Sequence, residues 1–198
     1  ESENAILFAG HLGIYNNKLM AHRLLERIYP KIRERSPRTK LYIAGLKPEP
    51  SLAKLISKTP GAELHENVAD MKESNRKASL FIHPQEIGSG IQNKLLESMA
   101  MGTTVITTAI GALGIEGVID RMHVLVSESD EEFVEAALSL LADKAESQRL
   151  ARNARKLIEQ RYTWERIFDS FDKIISGVLP NFFILPKRVT QAVHNGSR

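Results

Sequence analysis

Short apolar runs alternate along this chain with longer amphipathic stretches, and no other feature limits the possible folds as much. Runs at 5–9, 41–44, 63–65, 80–83, 103–107 and 123–126 have the length and the β-branched content of strands. Between them, 17–35 places Leu24, Leu25, Ile28 and Ile32 at helical spacing. Shorter helices are expected at 52–56, 71–77 and 91–101. From Asp130 almost to Gly177 the pattern is helical, with breaks near Asp143 and Thr163. Strand–helix alternation of this kind predicts an α/β fold: a doubly wound parallel sheet of about six strands with helices on both faces. Ligands in such sheets sit beyond the carboxyl ends of the strands, where the strand order reverses. The informative residues are therefore those just after each strand.

One such segment stands out. Strand 80–83 is followed by Pro84, then by a glycine-bearing loop, Gly88-Ser89-Gly90, and then by a helix expected to begin near Gly90. Glycine lets an anionic ligand approach the backbone closely. A helix start offers unpaired N–H groups and the positive end of the dipole. Lys94 falls in the first turns and can place a point charge on a diphosphate. Glu97 follows three residues later, so both lie on one helix face, and its carboxylate can accept hydroxyl hydrogen bonds. Read from pattern alone, an ordinary turn with an exposed Lys–Glu pair fits equally well. His11, just after the first strand, is a second candidate ligand. His83 and His65 end strands, while His22, His123 and His194 are expected as surface or core residues.

Composition removes several classes of function. There is no cysteine, so disulfides and thiolate-bound metals are excluded. No histidine pair has metal-ligand spacing and no Asp-x-Asp motif occurs, so neither a metal nor another cofactor is expected. No apolar run approaches the roughly 20 residues of a membrane span. The formal charge of +3 is far too small and dispersed for a nucleic-acid binder. It suits a phosphate-bearing ligand or an anionic membrane surface. The expected location is cytoplasmic, with peripheral attachment to the inner membrane face compatible with the charge.

The segment from Ile87 to Gly102, with Gly88-Ser89-Gly90-Ile91-Gln92-Asn93-Lys94 and Leu96-Glu97-Ser98-Met99-Ala100, resembles the C-terminal, donor-binding domain of the family 4 (group 1) glycosyltransferases. These enzymes have two Rossmann-like domains in the arrangement called GT-B. Other stretches follow the family in order: Phe8-Ala9-Gly10-His11-Leu12, Tyr42-Ile43-Ala44-Gly45, Asn67-Val68-Ala69-Asp70, Thr107 to Gly114, and Arg161-Tyr162-Thr163-Trp164. Together they span roughly 5–177. There are departures. Ser89 stands where the family's first motif glutamate falls, with Glu86 three positions earlier. His11 replaces an arginine and Asn16 a lysine, with Lys18 nearby. Trp164 is expected as a packing anchor.

The resemblance implies transfer of a sugar from a nucleotide-diphosphate sugar to the hydroxyl of an acceptor glycan or lipid-linked acceptor, with retention and without a metal. Lys94 and His11 become the candidate catalytic residues, stabilising the leaving diphosphate. Glu97 takes the place of the glutamate that holds the ribose. Gly10, Gly45, Asn67, Val68, Gly88, Ser89, Gly90 and Ile91 complete the donor-binding set. On this reading 1–179 form the nucleotide-sugar domain, 180–198 form a tail, and the acceptor half is supplied by a further N-terminal domain, so the chain alone would not turn over. A sugar-nucleotide epimerase on the same architecture, and a non-catalytic or split-subunit binding module, are the alternative readings.

Overall fold

The computed structural model describes residues 4–66 and 71–178. Asn67 and Val68, and the tail from 180 onward including His194, lie outside the described residues. The chain divides into two compact units, Glu1–Gln160 and Arg161–Arg198.

The first unit is built on a parallel sheet of β1 (Ala5–His11), β2 (Lys40–Leu46), β3 (Ala62–Glu66), β4 (Leu80–His83), β5 (Thr104–Thr107) and β6 (Leu125–Val126). Their order across the sheet is β3-β2-β1-β4-β5-β6. The chain therefore winds outward in one direction from β1 and in the other from β4, which makes the β1/β4 border the switch point of a doubly wound domain. The helices are α1 (Tyr15–Arg23), α2 (Tyr29–Arg35), α3 (Pro50–Lys58), α4 (Met71–Lys77), α5 (Asn93–Ala100), α6 (Ala109–Ala112), α7 (Asp130–Ala142) and α8 (Lys144–Arg161).

The central strands β1, β2 and β4 are apolar over most of their length because both faces are covered, whereas the edge strand β3 (Ala-Glu-Leu-His-Glu) is not buried. Ile6, Phe8, Leu41, Ile43, Leu80, Ile82 and Ile106 pack in one buried cluster with Leu24, Leu25 and Ile28 of the α1–α2 region and Phe133 and Ala137 of α7. The alternate residues, among them Leu7, Ala9 and Phe81, turn to the other face, where α4 and α5 pack. At about 25 cal/mol per Å², covering both faces of the four central strands is the main stabilising term.

Three local differences from the sequence reading have physical reasons. Helix 17–35 is not continuous: Leu24–Ile28 forms a π-helical turn between α1 and α2, and the Tyr29 N–H donates to the Leu24 carbonyl five residues back. The helix after the glycine-bearing loop starts at Asn93, not near Gly90. Gly90 has φ +80° and Gln92 is extended, and neither conformation propagates a helix. That helix ends in a Schellman motif: Thr103 N–H donates to the Ser98 carbonyl (2.9 Å) and Gly102 N–H to the Met99 carbonyl (3.0 Å), with Gly102 at φ +76°. This reversal feeds the chain directly into β5. The last strand is only Leu125–Val126, because the His123 N–H closes a turn onto the Ile119 carbonyl (3.0 Å) and the Val124 carbonyl accepts from the Arg121 N–H (2.8 Å).

In the second unit, Trp164–Val178 form α9. Trp164, Phe168, Phe171, Ile174 and Ile175 recur at helical spacing along it and are all exposed. Trp164 stacks on Phe168 at 5.9 Å between ring centroids, a packing contact within this helix.

Among the described residues, no helix is long and apolar enough to cross a membrane and no group of side chains could hold a metal ion.

Candidate functional site

A cavity of about 210 Å³ opens at the carboxyl ends of β1 and β2, on the α4/α5 side of the sheet. Strand ends supply Gly10, His11 and Gly45; Ala9 and Phe81 form an apolar floor; α5 supplies Lys94, Glu97 and Ser98. Five sequence-predicted residues thus meet at one place: Gly10, His11, Gly45, Lys94 and Glu97. Gly88, Ser89, Gly90 and Ile91 do not line this cavity. They form an exposed loop beyond β4, with Gly88 (φ +124°) and Gly90 in backbone conformations that favour glycine.

The charges in the cavity are not neutralised by one another. Lys94 and Glu97 lie one turn apart on α5, yet among the described residues they form no ion pair. The Lys94 ammonium instead donates to the Asn17 amide oxygen at 2.5 Å. Glu97 keeps an exposed carboxylate on the cavity wall. The surface Lys–Glu pair that the pattern also allowed is therefore not what forms. Burial lowers the Lys94 pKa to about 8.

Asn17 was not singled out by sequence. Its amide N–H donates to the His11 carbonyl (3.0 Å) while its oxygen accepts from Lys94, and the side chain is buried. Gly10 makes room for it, since a Cβ at Gly10 would stand 3.0 Å from the Asn17 amide nitrogen. Asn75, which lines the cavity from α4, accepts from the Thr103 hydroxyl at 3.1 Å.

The buried side-chain atoms without a partner among the described residues are His11 Nδ1, His83 Nε2 and Gln85 Oε1. Unpaired buried polar atoms are costly, and all three of these sit at the exits of β1 and β4, the two strand ends beside the switch point. His83 is wholly buried. The Thr107 hydroxyl donates to the His83 carbonyl (3.1 Å) and lies 3.3 Å from Nδ1. Burial first, then the Lys94 charge, lower the His83 pKa to about 3, so the ring is neutral.

The acidic residue nearest the glycine-bearing loop serves structure. Glu86 lies 3.6 Å from Arg23 and 3.9 Å from Arg27. Arg23 is 5% exposed; it donates to Asp130 (2.7 Å) and to the carbonyls of Pro84 (3.3 Å) and Glu128 (2.5 Å), with its guanidinium over the Phe133 ring. This cluster fixes the point where the chain leaves β4. Lys18, the basic residue close to the family's lysine position, is taken by Glu49 at 2.6 Å. His22 pairs with Glu26, and His65 stacks on Tyr42.

Comparison with known proteins gives a consistent picture. The family model described as glycosyl transferases, group 1, matches residues 3–143. An uncharacterized 44.6 kDa protein in the cps region of Klebsiella pneumoniae is 25% identical over 178 residues, which is 85% of this chain and 45% of that protein. The chain thus spans just under half the length of this curated relative. Among solved structures, S. aureus TarM in complex with fondaparinux, alpha-GlcNAc-glycerol and UDP superposes with a TM-score of 0.74 at 14% identity, over 88% of this chain and 36% of TarM. Anabaena HepE, in complex with UDP and glucose, gives 0.73 at 13%, over 89% and 49%. The C-terminal domain of a group 1 glycosyl transferase, LpcC from Francisella tularensis, gives 0.62 at 16%, over 81% of this chain and 87% of that domain.

Proposed function

This chain belongs to the group 1 glycosyl transferases, and from that premise we propose that its sheet domain is the nucleotide-sugar-binding half of a two-domain GT-B transferase. The observation that carries the reading is the pair Lys94 and Glu97: a half-buried cation and an unpaired carboxylate, one turn apart, on the wall of a cavity at the strand ends. A nucleoside diphosphate has the complementary parts, a diphosphate for the ammonium and ribose hydroxyls for the carboxylate. UDP in the TarM and HepE crystals supports the same ligand class.

In transfer, the bond from the sugar anomeric carbon to the diphosphate oxygen breaks, and a bond to the acceptor hydroxyl oxygen forms. Negative charge grows on the departing diphosphate, whose freed oxygen takes the acceptor hydroxyl proton. Lys94 stabilises that charge, which is where a preorganised donor contributes most. The α5 N-terminus adds the N–H groups of Asn93 and Lys94, since no side chain caps it. His11 is a further contact from the β1 end, and Glu97 holds the ribose. The donor set includes Gly10, Gly45 and the loop 88–91, with Asn67 and Val68 from outside the described residues. The family resemblance supports retention of configuration, a glycan or lipid-linked acceptor held by a separate N-terminal domain, and cytoplasmic action.

Calorimetry with uridine, guanosine and adenosine diphosphates tests the reading. Binding of at least one is expected; a folded sample that binds none of them overturns it. With donor sugar and acceptor, the 198-residue chain alone is expected to give no transfer product.

A further inference from the structure

We propose that Asn17 is a positioning residue of this site, holding the Lys94 ammonium at the cavity and tying it to the end of β1. The inference rests on the reading of Lys94 as the diphosphate-binding cation. Asn17 lies in the first turn of α1, the helix after β1, and Lys94 in the first turn of α5, the helix after β4. The two helices start on opposite sides of the switch point, and the 2.5 Å hydrogen bond between these side chains joins them across 77 residues of sequence.

The chemistry explains why an amide stands here. The residue must donate to the His11 carbonyl and accept from Lys94 at once. A carboxylate lacks the donor, and a hydroxyl is too short to span both. An amide oxygen is also neutral, so it orients the ammonium without cancelling its charge. A lysine has three N–H donors. Asn17 takes one and leaves two for phosphate oxygens. The other titratable groups around Lys94 do not replace this partner. Neutral His83 lies on β4, His11 on β1, and Glu97 on α5 outside ion-pair distance among the described residues. Gly10 is part of the device, because a side chain there would press on the Asn17 amide.

Asn17→Asp and Asn17→Ala separate positioning from packing. Calorimetry uses whichever of the three nucleoside diphosphates the parent binds, alongside the matching nucleoside. Asn17→Ala is expected to weaken the diphosphate about 5- to 10-fold and the nucleoside less than 2-fold. Asn17→Asp, although closer in shape, is expected to weaken the diphosphate more than Asn17→Ala does, because its carboxylate occupies the ammonium. A purely structural role gives the reverse order, and equal or better binding by Asn17→Asp overturns the proposal. A second measurement needs no ligand and reads the parent itself. NMR of 13C-lysine-labelled parent, with Lys94 assigned through Lys94→Arg, is expected to show a split, restricted Lys94 ε-methylene pair; a motionally averaged signal like those of exposed lysines overturns the proposal. If no diphosphate binds, the nucleotide reading falls while the NMR result still decides whether Asn17 holds Lys94.

Discussion

Gly45 and Gly10 are register partners at the ends of β2 and β1, and a Cβ built on Gly45 would stand 1.9 Å from the Gly10 carbonyl oxygen. The obstacle is backbone, which cannot swing away, so the two strands must part if position 45 gains a side chain. Gly45→Ala is expected to destabilise the domain by about 1–3 kcal/mol, the range for overpacking. Urea denaturation measures it. A loss below about 0.5 kcal/mol would mean the strands separate without cost at this edge of the cavity.

Lys94 and Glu97 should fail in distinguishable ways. Hydrogen bonds to a charged group contribute about 1.5–3 kcal/mol, so Glu97→Gln is expected to lower nucleotide affinity roughly 10-fold or more. The loss should be alike for mono- and diphosphates, since both keep the ribose. Lys94→Ala should weaken the diphosphate more than the nucleoside, and the difference should shrink as salt rises. Parent-like affinity in both variants, with circular dichroism unchanged, would refute α5 as the donor site.

Arg23 and Asp130 form a buried pair 107 residues apart, at 2.7 Å. Asp130→Asn leaves the Arg23 guanidinium charged and buried, while Arg27, more than half exposed, resolvates. Breaking one side of such a pair costs about 3–5 kcal/mol, and replacing both partners by apolar residues costs less. Denaturation of Asp130→Asn beside the double variant Arg23→Met/Asp130→Leu checks this. A double variant less stable than the single one would contradict it.

His83 makes stability depend on pH in a defined window. Its folded pKa of about 3 lies below the 6.5 of a free histidine, so the unfolded chain takes up the proton first. The contribution is complete above pH 6.5 and is lost as pH falls toward 3. The limiting slope is about 1.4 kcal/mol per pH unit. His83→Phe keeps the shape and removes the proton. Between pH 6 and 4.5 the variant should therefore lose stability less steeply than the parent. Parallel pH profiles would show that His83 is not held neutral by burial.

Much of the fold was legible because buried parallel strands are apolar on both sides, and 5–9, 41–44 and 80–83 read that way directly. Lys94 and Glu97 were legible because their chemistry is local: a loop, a helix start and a three-residue spacing. Asn17 and Arg23 were not. An asparagine near a helix start and an arginine inside a helix look like surface residues, and the partners that bury them stand 77 and 107 residues away. The structural part of Glu86 was not legible either. It stands three positions before the family's glutamate, and Arg23 and Arg27 claim it. The start of α5 was placed too early because glycine in a loop does not announce the sign of its φ.

The π-helical turn at Leu24–Ile28 sets how α1 and α2 are indexed against each other. One residue of α-helix corresponds to about 100° of rotation, so the extra residue in that turn offsets the phase of everything before it from everything after. Tyr29 and Ile32 of α2 can then seat in the core while Asn17 of α1 faces Lys94, with neither helix dictating the other's azimuth. Removing one residue from the turn would recouple the two phases. The core would hold α2 in place, and Asn17 would be carried about a quarter turn off the site.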